Sequence, residues 1–393
     1  MQKQRSVTVL PFIVAAQFAC TSVWFAGNAV INDIIRYFAL STEVLGHLVS
    51  AVQLGFITGT LLFAVFTVSD RFSPSRVFVV CALAAALCNL SVFVAEGFSS
   101  LMLARFATGF FLAGIYPVGM KIAADHHQQG LGTALGWLVG ALVLGTAFPH
   151  LVHVYPAGFS WKWVIAISAL LSVTGAWIIG LFVPDGPYRS RSNGFDPAVL
   201  LKIFRNADFR SAALGYFGHM WELYAFWAFV PSVFHTYFSV HNDQGNEPVA
   251  LLSFLVIAIG APACVMGGYL SRRWGSARTA FLALLISASC CLLSPFFFQL
   301  PFPVFLLLML VWGMSVVADS PQFSTLVAGS ISPEVRGTAL TITNSIGFTI
   351  TILSIETLNY LRDDLPSRYL YLLLAAGPLL GMLAMKRQLR KTT

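Results

Sequence analysis

The chain has 393 residues, of which 57% are hydrophobic and only 10% charged, and its formal net charge is +7. Soluble proteins carry about 25% charged residues, so this composition excludes an ordinary water-soluble domain and requires most of the surface to face lipid. The basic balance does not indicate nucleic-acid binding, because most lysines and arginines lie in loops on one side of the predicted spans. The sequence predicts a protein embedded in a lipid bilayer, with no nucleic-acid partner.

Twelve solidly apolar runs are each long enough to cross a bilayer as a helix, which takes about 20 residues. An open sheet could not satisfy its edges in lipid, and a barrel would show alternating apolar and polar residues. The first run is too long for a signal peptide and lacks a cleavage site, so we predict that it is the first span. The sequence therefore predicts an all-α membrane protein with twelve transmembrane helices, at residues 8–31, 44–66, 77–96, 100–123, 132–152, 162–183, 211–237, 249–270, 279–299, 303–327, 337–358 and 368–385.

Residues 184–210 interrupt the apolar pattern with Pro, Gly and scattered charges, which is typical of a linker. Six runs precede this linker and six follow it, so the sequence predicts one six-helix bundle at 1–183 and another at 211–393. Lysines and arginines are concentrated at both termini and in the linker, and positively charged loops stay in the cytoplasm. We predict a monomeric multi-pass protein of the inner (cytoplasmic) membrane, with both termini in the cytoplasm.

Polar residues within the first, fourth and eleventh runs are candidates for binding a polar solute. Gln17, Trp24 and Asn28 recur at helical spacing and share one face of the first run. Asn344 offers a further amide in the eleventh run. Arg105, in the fourth run, could attract an anion, pair with a carboxylate or reach the membrane surface. Interhelical hydrogen bonds of about 0.6 kcal/mol each would explain the uncharged groups as well.

A short basic loop occurs twice, about half a chain apart, each time after an apolar run. The first copy contains Asp70, Arg71 and Arg76, and the second contains Arg273 and Arg278. A long repeat of this kind indicates two similar bundles packed about a shared centre. We predict that the Asp70 carboxylate binds the positive N-terminal end of the eleventh helix and latches the bundles together. The alternative is that both loops only anchor the chain by their positive charge.

Ionisable residues at membrane depth cost at least about 2.5 kcal/mol each, and therefore mark functional candidates. His219 and Glu222 lie three residues apart in the seventh run and share a helix face. We predict that these two residues carry the coupling proton. The alternative is a structural pair that satisfies itself within the bundle. Metal binding has little support, because no second cluster of metal ligands accompanies this pair.

Four further residues of the seventh and tenth runs are candidates for contacting the solute. Tyr224 and Trp227 follow Glu222 closely, and Asp319 and Gln322 flank a proline in the tenth run. Proline frees a backbone carbonyl and bends the helix there. Asp319 has an alternative structural interpretation, because it could pair with a basic residue at a cytoplasmic helix end, such as Lys121.

The first of the two loops resembles the signature loop of the major facilitator superfamily, Gly-x-x-x-Asp-Arg-x-Gly-x-x-Arg. Asp70, Arg71 and Arg76 match this pattern, whereas Phe66 and Ser73 stand where it has glycines. With twelve spans and a central linker, the resemblance covers the whole chain. It implies a fold of two pseudo-symmetric six-helix bundles.

Other segments extend this resemblance. In the second loop Arg273 and Arg278 match, but Arg272 replaces the acid, and Arg105 with Gly109 resembles the helix 4 motif of the superfamily. The segments 218–224 and 318–323 resemble bacterial permeases grouped near nitrate/nitrite and cyanate carriers. Nitrate carriers of that group use arginines in spans 2 and 8, which this chain lacks, so the resemblance does not imply nitrate as the substrate.

The resemblance and the polar residues imply a secondary transporter that moves a small polar or anionic organic solute by alternating access, coupled to protons in symport. An enzyme is not expected, since no nucleophile motif, metal motif or phosphate-binding loop is present, and we predict neither a cofactor nor a metal. Proton-driven efflux is an alternative, although Gly145 and Pro149 are separated where efflux members carry adjacent Gly and Pro. An alternative of another class is a transport-inactive membrane sensor.

Overall fold

The computed structural model describes residues 2–41, 44–127, 131–154, 160–189, 203–242, 248–332 and 336–390, and for residues 2–8, 70, 131, 132, 336 and 337 only their backbone. Within these ranges every regular element is a helix and no strand occurs. The described residues include 10 helical segments that are long and apolar enough to cross a membrane. They coincide with ten of the predicted runs, all except the first and the seventh, and confirm the all-α membrane fold.

Two sets of helices are separated by the predicted linker, and we call them the first and second halves of the chain. The first half contains α1 (Gln2–Thr21), α2 (Ala26–Ala29), α3 (Ile31–Tyr37), α4 (Val44–Val65), α5 (Val68–Arg71), α6 (Pro74–Leu90), α7 (Phe98–Leu112), α8 (Tyr116–His126), α9 (Leu131–Val152) and α10 (Trp161–Phe182). The second half contains α11 (Ala207–Val240), α12 (Val249–Ala258), α13 (Gly260–Trp274), α14 (Ser276–Phe297), α15 (Phe302–Ala318), α16 (Ser320–Gly329), α17 (Arg336–Leu361), α18 (Ser367–Leu370) and α19 (Ala376–Arg390).

Successive spans run in opposite directions, so the loops divide between two sides of the molecule. We call the side that carries residues 66–73 and the start of the linker the linker side, and the opposite side the far side. The halves contact each other in two main regions. In one α4 packs against α17, and in the other α9 packs against α12, α13 and α16. The centre of the molecule lies between these two contacts.

Several spans are interrupted, and two of the breaks place polar groups inside the protein. The first span stops at Thr21 and resumes as α2 at Ala26, while α15 ends immediately before Asp319. The second break has a local cause, because Pro321 lacks a backbone N–H and occupies the first turn of α16. Backbone groups freed in lipid need partners within the protein. By contrast, α11 runs unbroken for 34 residues and tolerates an internal Pro231.

Glycine permits close contact where α9 meets the second half. A Cβ atom on Gly140 would lie 3.2 Å from the Ala261 carbonyl oxygen, and one on Gly136 would lie 3.6 Å from that of Cys264. Small residues let helices approach closely in lipid, where no hydrophobic force drives them together. At these two glycines α9 lies close to the backbone of the second half.

The start of the linker binds to the first basic loop within the first half. The Asp185 carboxylate accepts a hydrogen bond of 2.7 Å from the Ser73 hydroxyl. Arg189 donates to the Phe72 carbonyl at 2.7 Å and also contacts Asp185 at 3.3 Å. The backbone N–H of Tyr188 donates to a carbonyl of α8 at 3.0 Å. These bonds fix residues 185–189 against the linker side of the first half.

Candidate functional site

An aromatic cluster occupies the centre of the molecule and joins the two halves. The Trp24 ring stacks on Tyr224, with centroids 5.7 Å apart, and on Phe348, with centroids 5.8 Å apart. Phe56 lies 4.5 Å from Phe348, and Trp227 lies 5.2 Å from Tyr224. All these side chains are buried. We call this set the central aromatic cluster: Trp24, Phe25 and Phe56 from the first half, and Tyr224, Trp227 and Phe348 from the second.

Three members of this cluster were predicted from the sequence as solute-binding residues, namely Trp24, Tyr224 and Trp227, and the structure brings them together. Phe25, Phe56 and Phe348 were missed. They carried no distinguishing signal, because the chain has 34 phenylalanines and most of them fit equally well against lipid. Aromatic pairs of this geometry contribute about 0.5–1.5 kcal/mol beyond their buried area. The cluster therefore holds the two halves together at this level.

Arg105 holds the break in the first span. Its guanidinium donates to the carbonyl oxygens of Val23, at 3.3 Å, and Trp24, and to the Asn89 side-chain oxygen at 3.2 Å. The side chain is only 4% exposed, so it does not reach the membrane surface. Among the described ion pairs none joins Arg105 to a carboxylate. Its observed contacts position Trp24, an arrangement that sequence spacing does not reveal.

Several buried polar groups near the cluster have no hydrogen-bond partner among the described residues. They are both amide atoms of Gln17, Asn28 and Gln53 and the indole nitrogens of Trp24 and Trp227. Gln17 and Asn28 were predicted from their shared helix face, and Gln53 was not. A buried polar group without a partner costs about 1–3 kcal/mol. Groups of this kind, gathered around one centre, suit the binding of a polar solute.

A cleft between the halves extends from this centre toward the far side. It encloses about 670 Å³ including open solvent. The first half contributes the break and end of its first span, and the second half contributes the outer part of α11. We call it the far-side cleft; its polar lining residues are Asn28, Asn32, Ser232, His235, Thr236 and Arg362.

His219 pairs with Asp319, and both side chains are 1% exposed. The Nδ1 atom of His219 lies 2.8 Å from a carboxylate oxygen of Asp319 at the break between α15 and α16. The Nε2 atom of His219 has no partner among the described residues. Nearby, the Cys264 thiol contacts the Val317 carbonyl at 3.4 Å, and the same cysteine faces Gly136 of the first half. The pair thus lies one helix behind the contact between the halves.

Glu222 has other partners than His219, so these two residues do not form the structural pair that was the alternative interpretation, and their role in proton coupling stays a prediction. Its carboxylate accepts hydrogen bonds from the Ser287 hydroxyl, from the Trp312 indole at 2.6 Å and from the Cys291 thiol at 3.2 Å. The spacing of three residues placed both groups on α11 but did not determine which neighbouring helix each one faces. Asp319 likewise pairs with His219, whereas Lys121 lies 4.0 Å from Asp125.

The remaining predicted solute-binding residues lie on the second half. Gln322 is buried on α16, and the side chain of Asn344 is half-buried on α17. Neither has a contact with the central aromatic cluster among the described aromatic and hydrogen-bond interactions.

The predicted latch residues lie on the linker side. Arg71, Arg76, Arg273 and Arg278 are exposed, and the side chain of Asp70 lies outside the described part of the chain. The contact that crosses between the halves comes instead from Arg272, whose guanidinium donates to the Thr133 hydroxyl. Arg272 is the residue that replaces the acid in the second loop. The Asp70 contact with α17 remains a prediction.

On the far side an ion pair joins the halves. His47 of α4 lies 3.2 Å from Glu356 of α17, with side chains 43% and 32% exposed. One turn away, Gly46 packs against the Asn359 side chain. Exposed pairs contribute about 0.2–1 kcal/mol. This contact is therefore weak enough to break and re-form during a conformational cycle.

Replacing Glu356 by Gln should favour separation of the halves on the far side, because it removes the carboxylate that attracts His47. A loss of up to about 1 kcal/mol corresponds to a population change of up to about fivefold. We expect faster maleimide labelling of a cysteine introduced at the buried position Ala228 in the cleft wall. The exposed far-side substitution Glu96→Gln is the matched control and should leave the rate unchanged. Equal rates for both variants would contradict the role of the ion pair.

Comparisons with known proteins agree with this architecture. The "Efflux pump FUBT" of Fusarium oxysporum is 28% identical over 190 residues, which cover 45% of this chain and 31% of that pump. The chain therefore spans less than a third of the length of that relative. Among solved structures, the proton:xylose symporter XylE has a TM-score of 0.78 at 14% identity, with 98% of this chain and 96% of XylE covered. The nucleoside transporter NupG has a TM-score of 0.73 at 15% identity, with coverage of 96% and 99%.

These structural likenesses show the fold, and the family follows from a separate comparison. The model of the Major Facilitator Superfamily matches residues 12–355, which is most of the chain. The match includes both basic loops, the central aromatic cluster and the His219–Asp319 pair. The protein is a multi-pass membrane protein that belongs to the major facilitator superfamily.

Proposed function

We propose that the protein moves a small polar or anionic organic solute through the centre of the molecule by alternating access, coupled to protons. The observation that supports this proposal is the central aromatic cluster, to which both halves contribute, surrounded by buried polar groups without partners. A polar solute bound there would satisfy these groups. Separation of the halves on either side would then expose the solute to that side.

We assign proton coupling to His219 together with Asp319. Both groups are titratable, buried and in direct contact, so a proton on the carboxylate abolishes their charge attraction. Because α11 carries both His219 and two members of the aromatic cluster, a shift of this helix connects the pair with the solute. Glu222 is the second candidate, since it is a buried carboxylate on the same helix, but its three hydrogen bonds hold it within the second half.

Orientation and membrane follow from the positive loops. We propose that the linker side faces the cytoplasm of a bacterial cell and that both termini lie there. The far-side cleft would then open outward, and symport would bring solute inward. Similarity to the efflux pump of Fusarium oxysporum favours the alternative, in which the same residues serve efflux.

Flux measurements in proteoliposomes test this function. Vesicles loaded with the pH-sensitive dye pyranine are given, one at a time, a sugar, a nucleoside, an organic acid and a cationic dye. Coupled transport of a solute should change the internal pH only when protein is present. Symport gives proton entry with solute entry, whereas efflux by antiport gives proton movement opposite to the solute. Solute flux without any pH change would contradict the coupling, and binding without flux would favour a sensor.

A further inference from the structure

We propose that the far-side cleft binds the carboxylate or another anionic group of an organic acid, with Arg362 as its charged partner. The inference deepens the proposed function, on which it rests for what is transported, by naming the solute class. It is carried by the cleft itself, whose walls come from both halves and whose charge has one sign.

The charge of the cleft comes from its second-half wall. Arg362 and His235 both line it, and no Asp or Glu is found among the described lining residues. Asp363 forms an ion pair with Arg362: its carboxylate lies 3.8 Å from Arg362 Nε, and its side chain is 73% exposed. That carboxylate points to solvent and is not part of the lining. Planar guanidinium groups bind carboxylates in two-bond geometry, which makes arginine well suited to this role.

The opposite wall supplies neutral hydrogen-bonding groups. Asn28 is 5% exposed, and neither its amide nitrogen nor its oxygen has a partner among the described residues. Asn32 from the first half and Ser232 from α11 add further donors. An anion between these walls would meet Arg362 on one side and Asn28 toward the centre. The amide of Asn28 lies next to the span break that Arg105 holds, so its position is fixed.

Apolar residues complete the cleft and determine what the anion is attached to. Ile31, Ile35, Ala228 and Pro231 lie between the polar groups. A site that combines apolar walls with a few placed polar groups is typical of small-molecule binding. An inorganic anion would interact with the charge of Arg362 but would gain nothing from the apolar walls. An organic acid uses both the charge and the apolar walls, so we favour that class.

Charge-selective labelling of a cysteine in the cleft tests this inference without any transport. We would introduce Ser232→Cys and compare two methanethiosulfonate reagents on the purified, detergent-solubilised protein, one bearing a sulfonate and one a trimethylammonium group. A cleft lined by one sign of charge raises the local concentration of the opposite ion by about tenfold or more. We expect the ratio of anionic to cationic labelling rates to be about tenfold higher than for free cysteine. The parent protein gives the background, since its cysteines are buried or half-buried.

Removing the charge should remove the preference. With Arg362→Gln in the Ser232→Cys protein, we expect the ratio to fall to that of free cysteine, whereas the far-side control Arg368→Gln should retain it. Millimolar benzoate should slow labelling only when Arg362 is present, and benzamide, its neutral counterpart, should not. A ratio unaffected by Arg362→Gln, or equal protection by both compounds, would overturn the proposal. Because no flux is measured, this outcome is independent of whether the protein proves to be proton-coupled.

Discussion

Replacing Asp319 by Asn should abolish proton-driven accumulation while leaving solute exchange intact. The asparagine keeps the size of the side chain but can neither ionise nor form the ion pair with His219. One pH unit is equivalent to about 1.4 kcal/mol per proton, so a carrier that moves one proton with each solute accumulates it about tenfold. In proteoliposomes with that imposed gradient we expect the wild-type protein to approach this ratio and the variant to stop at equal concentrations.

The control for this experiment is Glu222, a second buried carboxylate, which lies on α11 together with His219. Glu222→Gln should retain accumulation, because the hydrogen bonds from Ser287 and Trp312 can still reach the amide oxygen. Exchange of labelled solute across vesicles without a gradient shows that each variant is folded and binds. Uphill accumulation by Asp319→Asn would refute the assignment to the His219–Asp319 pair. Loss of accumulation in Glu222→Gln alone would transfer the role to Glu222.

Replacing Arg105 by Gln should cause the largest loss of stability of any substitution considered for this protein. The shorter, neutral side chain cannot reach the carbonyls of Val23 and Trp24 together with Asn89, so buried acceptors lose their donor. Each such loss costs about 1–3 kcal/mol, and we expect about 3 kcal/mol in total. The melting temperature of the protein in detergent should fall by at least about 5 °C. Solute affinity should fall as well, because Trp24 loses its fixed position.

Two further variants distinguish a structural role from a purely electrostatic one. Arg105→Lys keeps the charge but offers a single ammonium group, so it should recover only part of the stability. Arg36→Gln, at the exposed end of α3, removes an arginine without a buried contact and should change stability by less than about 0.5 kcal/mol. Full rescue by lysine would show that the charge of Arg105 matters and that its hydrogen bonds to the broken span do not.

The bilayer made much of the fold predictable. Crossing lipid demands long apolar helices, and the ten spans that satisfy this demand lie where the apolar runs were. The break before α16 was signalled by Pro321. The break after Thr21 was not, because no proline marks it, and its stability depends on Arg105 from a helix far along the chain. A break caused by a nearby proline can be read from the local sequence, whereas a break held by a residue of another helix cannot.

The candidate site was predictable in its members more than in its pairings. His219, Glu222 and Asp319 were all identified because ionisable groups are rare at membrane depth. Spacing along one helix placed His219 and Glu222 on a shared face, whereas the packing of α11 against the break before α16 brings His219 to Asp319. Phe348 carried no signal, since an aromatic residue suits lipid and protein interior equally. Which neighbour a side chain meets is a property of the packed bundle.

The glycine contact between α9 and the second half bears on how fast the halves can rearrange, which is distinct from which arrangement they prefer. Interlocked side chains must pass over one another when helices slide, which creates an activation barrier, whereas Gly136 and Gly140 present a smooth surface to Ala261 and Cys264. We therefore expect substitutions along α9 to change mainly the rate at which the halves rearrange. Substitutions at contacts such as His47 with Glu356 should instead change mainly which arrangement is preferred. Turnover and equilibrium would then depend on different helices.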